Sequence, residues 1–177
     1  MKFQRLSIAM IATAAGLSAS AGAYAAMDIF VKFAGIDGET ADKQHQAESE
    51  VFSVSWGAAS TANGKKGCVQ DMSLTKKFDK ASAQLITKAA TGATIPTATL
   101  SMRKAGESPV DFLKITMTNV KVSSYAAAGS SSYADAPTES VSLSFETMSG
   151  EYKSQMRDGT LDAGIPWVIG PNGAKCQ

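Results

Sequence analysis

The chain has 177 residues with 17 basic and 16 acidic side chains, a net charge of +1, one histidine and two cysteines. A nearly neutral chain of mixed sign carries no electrostatic footprint for nucleic acid or an anionic membrane surface. A single histidine excludes a multi-histidine metal site, and no set of four ligands has zinc spacing.

Residues 1–25 carry the three parts of a secretory signal. Lys2 and Arg5 open it, Leu6–Ala23 is apolar and uncharged, and Ala23-Tyr24-Ala25 fits the small-x-small rule. Export is therefore predicted, with cleavage between Ala25 and Ala26. An uncleaved anchor helix and a start at Met27 are the alternatives. The Ala, Ser and Gly content of the apolar stretch argues against the first, and the ordered three parts against the second. Removing Lys2 and Arg5 leaves 15 basic and 16 acidic residues, a net charge of −1. About 150 residues remain, enough for one domain with its own core. No later apolar run is long enough to span a membrane.

Period-two patterns dominate the mature chain. Ile29, Val31 and Phe33 share one face of the first strand. Phe52, Val54 and Trp56 alternate with Val51, Ser53 and Ser55 in the second. Gly57–Gly67 is long, polar and glycine-rich, a predicted loop. Met72 and Leu74 point the same way in the run that follows. Asp79–Ala90 breaks the rhythm, with Ala81, Leu85, Ile86 and Ala89 at helical spacing. Asp79 or Ser82 caps its start and Gly92 ends it. Ala98, Leu100 and Met102 form one face of the next strand, and Leu113, Ile115 and Met117 one face of another. A turn at Gly106–Pro109 joins the two. Ala126–Pro137 is small and flexible in composition. Val141, Leu143 and Phe145 make the cleanest half-buried strand. From about residue 158 the glycines and prolines predict a mostly irregular tail.

Chemistry is hard to build from these residues. His45 lies in a charged linker and reads as a surface or turn histidine bonded to the backbone. Asp37, Glu39 and Asp42 read as a solvated acidic turn, since the calcium-loop spacing is not met. Gly64-Lys65-Lys66 lacks the first glycine and the hydroxyl of a phosphate loop. Phe52, Trp56 and Tyr125 read as core or interface aromatics ahead of a sugar platform. No catalytic, cofactor or metal site is predicted. Cys68 and Cys176 are the candidate disulfide, within one chain or between chains, with two separate thiols as the alternative. An internal bond would close a loop of roughly 110 residues, worth about 4–5 kcal/mol by the loss of chain entropy.

The ordered set of segments resembles the Hcp (haemolysin-coregulated protein) family of type VI secretion tube subunits. Asp28–Lys32 looks like the family's first strand and Gly35–Thr40 like its first turn. Asp42–His45 looks like the charged segment after it, and Val51–Gly57 like a second strand ending in Ser-Trp-Gly. Lys77–Ser82 resembles the strand-to-helix junction and Leu85–Gly92 the only helix. Leu113–Ser124 and Val141–Tyr152 resemble two later strands. The resemblance covers roughly residues 27–155. It implies a mainly β fold, a small two-sheet barrel with one helix on its side. It also implies hexameric rings stacked into a tube, effector proteins carried in the lumen, contacts with sheath and spike components, no cofactor and no enzymatic activity.

The Gly57–Gly67 loop, with Gly57, Asn63, Gly64, Lys65 and Lys66, is the candidate contact between rings. It reaches out between strands without disturbing the core. An idle surface loop is the alternative. Three functions compete: a ring or tube protein, an exported binding module or filament subunit using Ala126–Pro137 as its contact surface, and a small secreted hydrolase. The want of catalytic groups disfavours the last. An export signal is not typical of the resembled family and bears on the injection role more than on the fold.

Overall fold

Alternating apolar and polar residues make most of this chain pleated, with one side of each strand turned to a shared interior. The computed structural model describes residues 27–60, 67–104, 109–130, 137–156, 159–170 and 174–175. The strands are β1 (Met27–Phe33), β2 (Ser49–Ser55), the short β3 (Ala58–Ala59) and β4 (Cys68–Val69), and β5 (Met72–Lys77). The helix α1 (Ser82–Thr91) follows, then β6 (Ile95–Lys104), β7 (Val110–Ala128), β8 (Thr138–Ser144), β9 (Thr147–Tyr152), β10 (Ile165–Ile169) and β11 (Ala174–Lys175). Strands β7, β6, β1, β2, β5 and β8 run side by side, and β8 returns to β7 to close a barrel. Strands β9 and β10 extend outward from β7. The fold is the mainly β barrel that the family resemblance implies, with one helix among the described residues.

Closure depends on β7, whose 19 residues serve two ladders. Its first part pairs with β6 on one edge and β9 on the other, down to Thr118–Thr147. From Lys121–Ser144 onward its partner is β8. Asn119 stands between the two ladders with φ of 49°, a left-handed conformation that asparagine tolerates better than most residues. Its side-chain amide donates to Glu146, and the Glu146 N–H donates to the Thr118 carbonyl at 3.0 Å. One residue thus turns the strand from one sheet into the other.

The interior collects the predicted faces of β1, β5 and β6, with Ile115 and Met117 of β7 and Val141 and Leu143 of β8. Each Val, Leu, Ile, Phe or Met side chain among them contributes about 1.5–3 kcal/mol by leaving water. Phe145 lies just past the end of β8 and is only half-buried, packed against the core from its rim. In β2 the register shifts between Val51 and Ser53. That bulge shifts the inward parity within the strand, so that Val51 takes the inward place expected of Phe52 while Val54 keeps its own. Val51 is buried, Val54 packs on the core, and Phe52 is 58% exposed.

The helix starts at Ser82 and ends on Gly92, whose φ of 68° is the left-handed cap that glycine adopts without strain. Asp79 and Ser82 act together at its start. Asp79 Oδ1 accepts the Ala81 N–H at 3.0 Å, and Ser82 Oγ accepts the Asp79 N–H at 2.9 Å. Ala81 and Leu85 are buried, whereas Ile86 is largely exposed, so the packed face is narrower than the spacing predicts.

Three loop expectations are corrected. Ala126–Ala128 belong to β7, paired with Ser140–Thr138, so the predicted flexible stretch begins as an ordered arm. The Gly57–Gly67 stretch is not all loop, because Ala58–Ala59 pair with Cys68–Val69. The tail from about residue 158 is not irregular throughout. Ile165–Ile169 pair with β9, and Ala174–Lys175 pair in parallel with β4. Trp167 anchors that tail by lying across Gly150, where a Cβ would come within 2.3 Å of the indole.

Two inward positions of the barrel are charged. Lys76 and Glu139 stand directly opposite each other in the β5–β8 ladder, and both side chains are fully buried. Lys76 Nζ lies 2.8 Å from Glu139 and 2.7 Å from Asp79, and donates to the Lys77 carbonyl at 2.8 Å. The Tyr125 hydroxyl donates to the other Glu139 oxygen. Burial, reinforced by that carboxylate, pushes the Tyr125 phenol well above its ordinary pKa, so it remains a donor.

Removing one member of a buried pair strands the other charge, at roughly 3–5 kcal/mol. Glu139→Gln is expected to lower the unfolding free energy, read from a lowered urea midpoint, by the smaller end of that range, because Asp79 still faces Lys76. Lys76→Met combined with Glu139→Leu is expected to recover most of the loss. Equal midpoints for Glu139→Gln and the native protein would show that the pair does not hold the ladder.

Candidate functional site

Outward-facing residues of a barrel strand are normally wet, yet Phe30 of β1 and Arg103 of β6 are buried. The segment Asp42–Glu48 folds over them. The His45 ring stacks on Phe30 with centroids 4.0 Å apart and planes 9° from parallel. The Arg103 guanidinium lies 4.9 Å from the Phe30 ring centre, a cation–π contact. Arg103 Nη2 donates to Asp42 at 2.7 Å and to Asp28 at 2.9 Å. These bonds, Asp42 first, raise the guanidinium pKa further above its ordinary value.

His45 is therefore a buried residue and not the surface histidine predicted from its polar neighbours. Stacking on Phe30 supplies the burial. Its Nδ1 lies 3.1 Å from Glu48, and its Nε2 lies 3.2 Å from Asp111 at the start of β7. A neutral ring donates from only one nitrogen, and an imidazolium donates to both carboxylates at once. The acidic turn divides its roles. Asp37 meets Lys32 at 3.4 Å, Glu39 accepts the Lys80 N–H at 3.2 Å, and Asp42 bridges Arg103 to the backbone of its own turn. Sequence reasoning passed over Lys76, Arg103 and Glu139, the charged residues the fold buries.

Of the predicted contact loop, Gly57 is described, and its carbonyl accepts the Gln70 N–H at 2.9 Å. Asn63, Gly64, Lys65 and Lys66 lie outside the described residues, as do Ala25, Ala26 and Cys176. Cys68 stands in β4 and is disulfide-bonded. Among the described residues no group of three or more His, Cys, Asp or Glu side chains could hold a metal ion. No helix there is long and apolar enough to cross a membrane.

The Asp42 carboxyl is held at about 2, by the Arg103 hydrogen bond first and by the Gln44 and His45 N–H groups after it, against an opposing effect of burial. The folded chain thus binds this proton more weakly than the unfolded chain does. Asp42 stabilises the fold above the ordinary carboxylate value of 3.8, and that contribution is lost as pH falls toward 2. The stability gap between native protein and Asp42→Asn is expected to be constant near neutral pH and to close between about pH 4 and pH 2. Urea unfolding across that range checks it, and a gap that does not close overturns it.

Residues 30–152 match the family described as "Type VI secretion system effector, Hcp". The hcp1 protein of Pseudomonas aeruginosa is 37% identical over 148 residues, covering 78% of this chain and 91% of that protein. Among solved structures, Hcp1 from Salmonella typhimurium superposes with a TM-score of 0.70 at 35% identity, over 85% of this chain and 98% of its own. A type VI secretion system effector from Yersinia pestis superposes with a TM-score of 0.66 at 29% identity, over 80% of this chain and all of its own. The matched span runs from β1 to the end of β9 and takes in all six strands of the closed barrel, and the chain belongs to the Hcp family of type VI secretion proteins.

Proposed function

We propose that this chain is a structural ring protein whose hexamers stack into a tube and carry effector proteins in the lumen. The family match across the whole barrel carries this reading. A physical feature supports it. Ile165 and Val168 of β10 are 65% and 73% exposed. Apolar side chains left wet on outer strands favour an interface with further copies. A ring needs one heterologous contact that closes, and a tube needs a second along the axis. The stretch of Gly57, Asn63, Gly64, Lys65 and Lys66 is proposed for the axial contact, and sheath and spike components as further partners. No catalytic role, cofactor or nucleic-acid partner is proposed.

A second reading, an exported binding module on the same fold, draws on the β7–β8 arm. Ala126–Ala128 and Thr138 are paired strand residues that stay exposed, as a protruding contact surface would be. Light scattering separates the two. The tube reading expects a particle of about six subunit masses at micromolar concentration, since a closed ring has a fixed copy number. A strict monomer over a wide concentration range overturns it.

Export and the disulfide belong to the same proposal. Cys68 is disulfide-bonded, and β11 runs parallel to β4 with Ala174 opposite Cys68, two residues before Cys176. An internal Cys68–Cys176 bond is favoured by that register. Mass spectrometry of protein from its native compartment is expected to show an N-terminus at Ala26 or Met27 and no free thiol. An intact Met1 overturns the cleavage, and two reactive thiols per chain overturn the bond.

A further inference from the structure

Strands β1 and β2 share a ladder only at Phe30–Glu50 and Val31–Ser49. Toward the start of β1 they part. Strand β2 bulges at Val51–Ser53 and follows β5, while Met27–Ile29 stay paired with β6. The edge of Met27–Ile29 that faces β2 has no ladder partner among the described residues. A groove of about 450 Å³ opens at this split. An unpaired strand edge at a groove is a template for an added strand.

Two further observations define what would enter. Arg103 lines the groove with only 6% of its surface exposed, and its Nε has no hydrogen-bond partner. A buried donor left unmatched costs free energy that an incoming carbonyl oxygen would recover. The groove also holds the carboxylates of Asp28, Asp42 and Glu50 against the single guanidinium of Arg103, a formal excess of two negative charges. Its lips are apolar, with Met27 and Phe52 both more than half exposed.

We propose that this groove takes an extended peptide segment of a partner protein, added as a strand along Met27–Ile29. A backbone carbonyl of the segment accepts from Arg103 Nε. An apolar side chain lies against Met27 and Phe52, and a basic side chain lies beside Asp28 and Glu50. Main-chain pairing supplies general affinity, and the acidic rim selects cationic sequences. The inference is independent of ring formation.

The test uses the mature chain and two fluorescent ten-residue peptides, one alternating Val and Lys, the other Val and Glu. Anisotropy is expected to show the Val–Lys peptide binding more tightly by tenfold or more, roughly the discrimination that a few charge contacts give. Glu50→Lys brings the groove's formal charge to zero and is expected to abolish that preference, and Phe52→Ser to weaken both peptides by about tenfold, as losing an aromatic anchor does. Both side chains are exposed, and Glu50 gives up only its 3.1 Å bond from Thr40. Hydrogen exchange is expected to slow at Met27–Phe30 when the Val–Lys peptide is bound. Equal affinity for the two peptides overturns the proposal, as do variants without effect or protection confined to other strands. Protection of Met27–Phe30 that rises with protein concentration in the absence of peptide also overturns it, because a second copy then covers the groove. Light scattering on the same samples reports the ring separately, so a monomer that binds the Val–Lys peptide sinks the tube reading alone.

Discussion

The Lys76–Glu139 pair sets the barrel's register. Both residues point inward on β5 and β8, the latter the strand that closes the barrel against β7, and a fully buried charge survives only beside its partner. A slip of one residue between β5 and β8 would move either charge to the opposite face and leave the other alone in the core. Apolar neighbours such as Leu74 and Val141 tolerate small shifts, but an ammonium held between Glu139 and Asp79 does not. The same contact ties the barrel to the helix, since Asp79 both pairs with Lys76 and accepts the Ala81 N–H in front of α1.

Around this core lies a second shell built from a different balance of forces. Phe30 points outward and would be wet on an ordinary barrel. The Asp42–Glu48 segment covers it with the His45 ring, and Arg103 binds that segment through Asp42. The shell is polar in composition and buried in fact. It costs desolvation of several charges, which the paired geometry offsets. Its rim stops at the split between β1 and β2, so Asp28, Asp42, Glu50 and Arg103 gather beside an unfinished sheet.

The sequence made much of this legible through alternation alone. The faces of β1, β5 and β6, the helix and its Gly92 cap all follow from local pattern. Lys76 and Glu139 were readable too. Lys76 shares parity with Met72 and Leu74, and Glu139 with Val141 and Leu143. A reading that tracks only apolar residues overlooks them because it treats charge as a mark of the surface. The bulge at Val51–Ser53 carries no local sign and exchanges Val51 for Phe52 as the inward residue before Val54. The burial of His45 arises from a stack with Phe30, 15 residues earlier, and from Asp111, 66 residues later. Strand β10 was hidden by Pro166 and its flanking glycines, though proline is at home on an edge strand. The groove follows from tertiary divergence of two strands and has no sequence signature of its own.

The ladder that closes the barrel has a consequence for how the chain is made. Met27 pairs with Lys104, and Met72 pairs with Leu143. The wall cannot close until Ser144 has left the ribosome, because β8 pairs with both β5 and β7, so β5 emerges long before the strand that covers its open edge. Folding dominated by such distant pairings is slow, because the entropy of closing long loops is lost before any contact repays it. The nascent chain is therefore an incompletely closed polypeptide for most of its synthesis, with the core-facing side of β5 uncovered until β8 arrives.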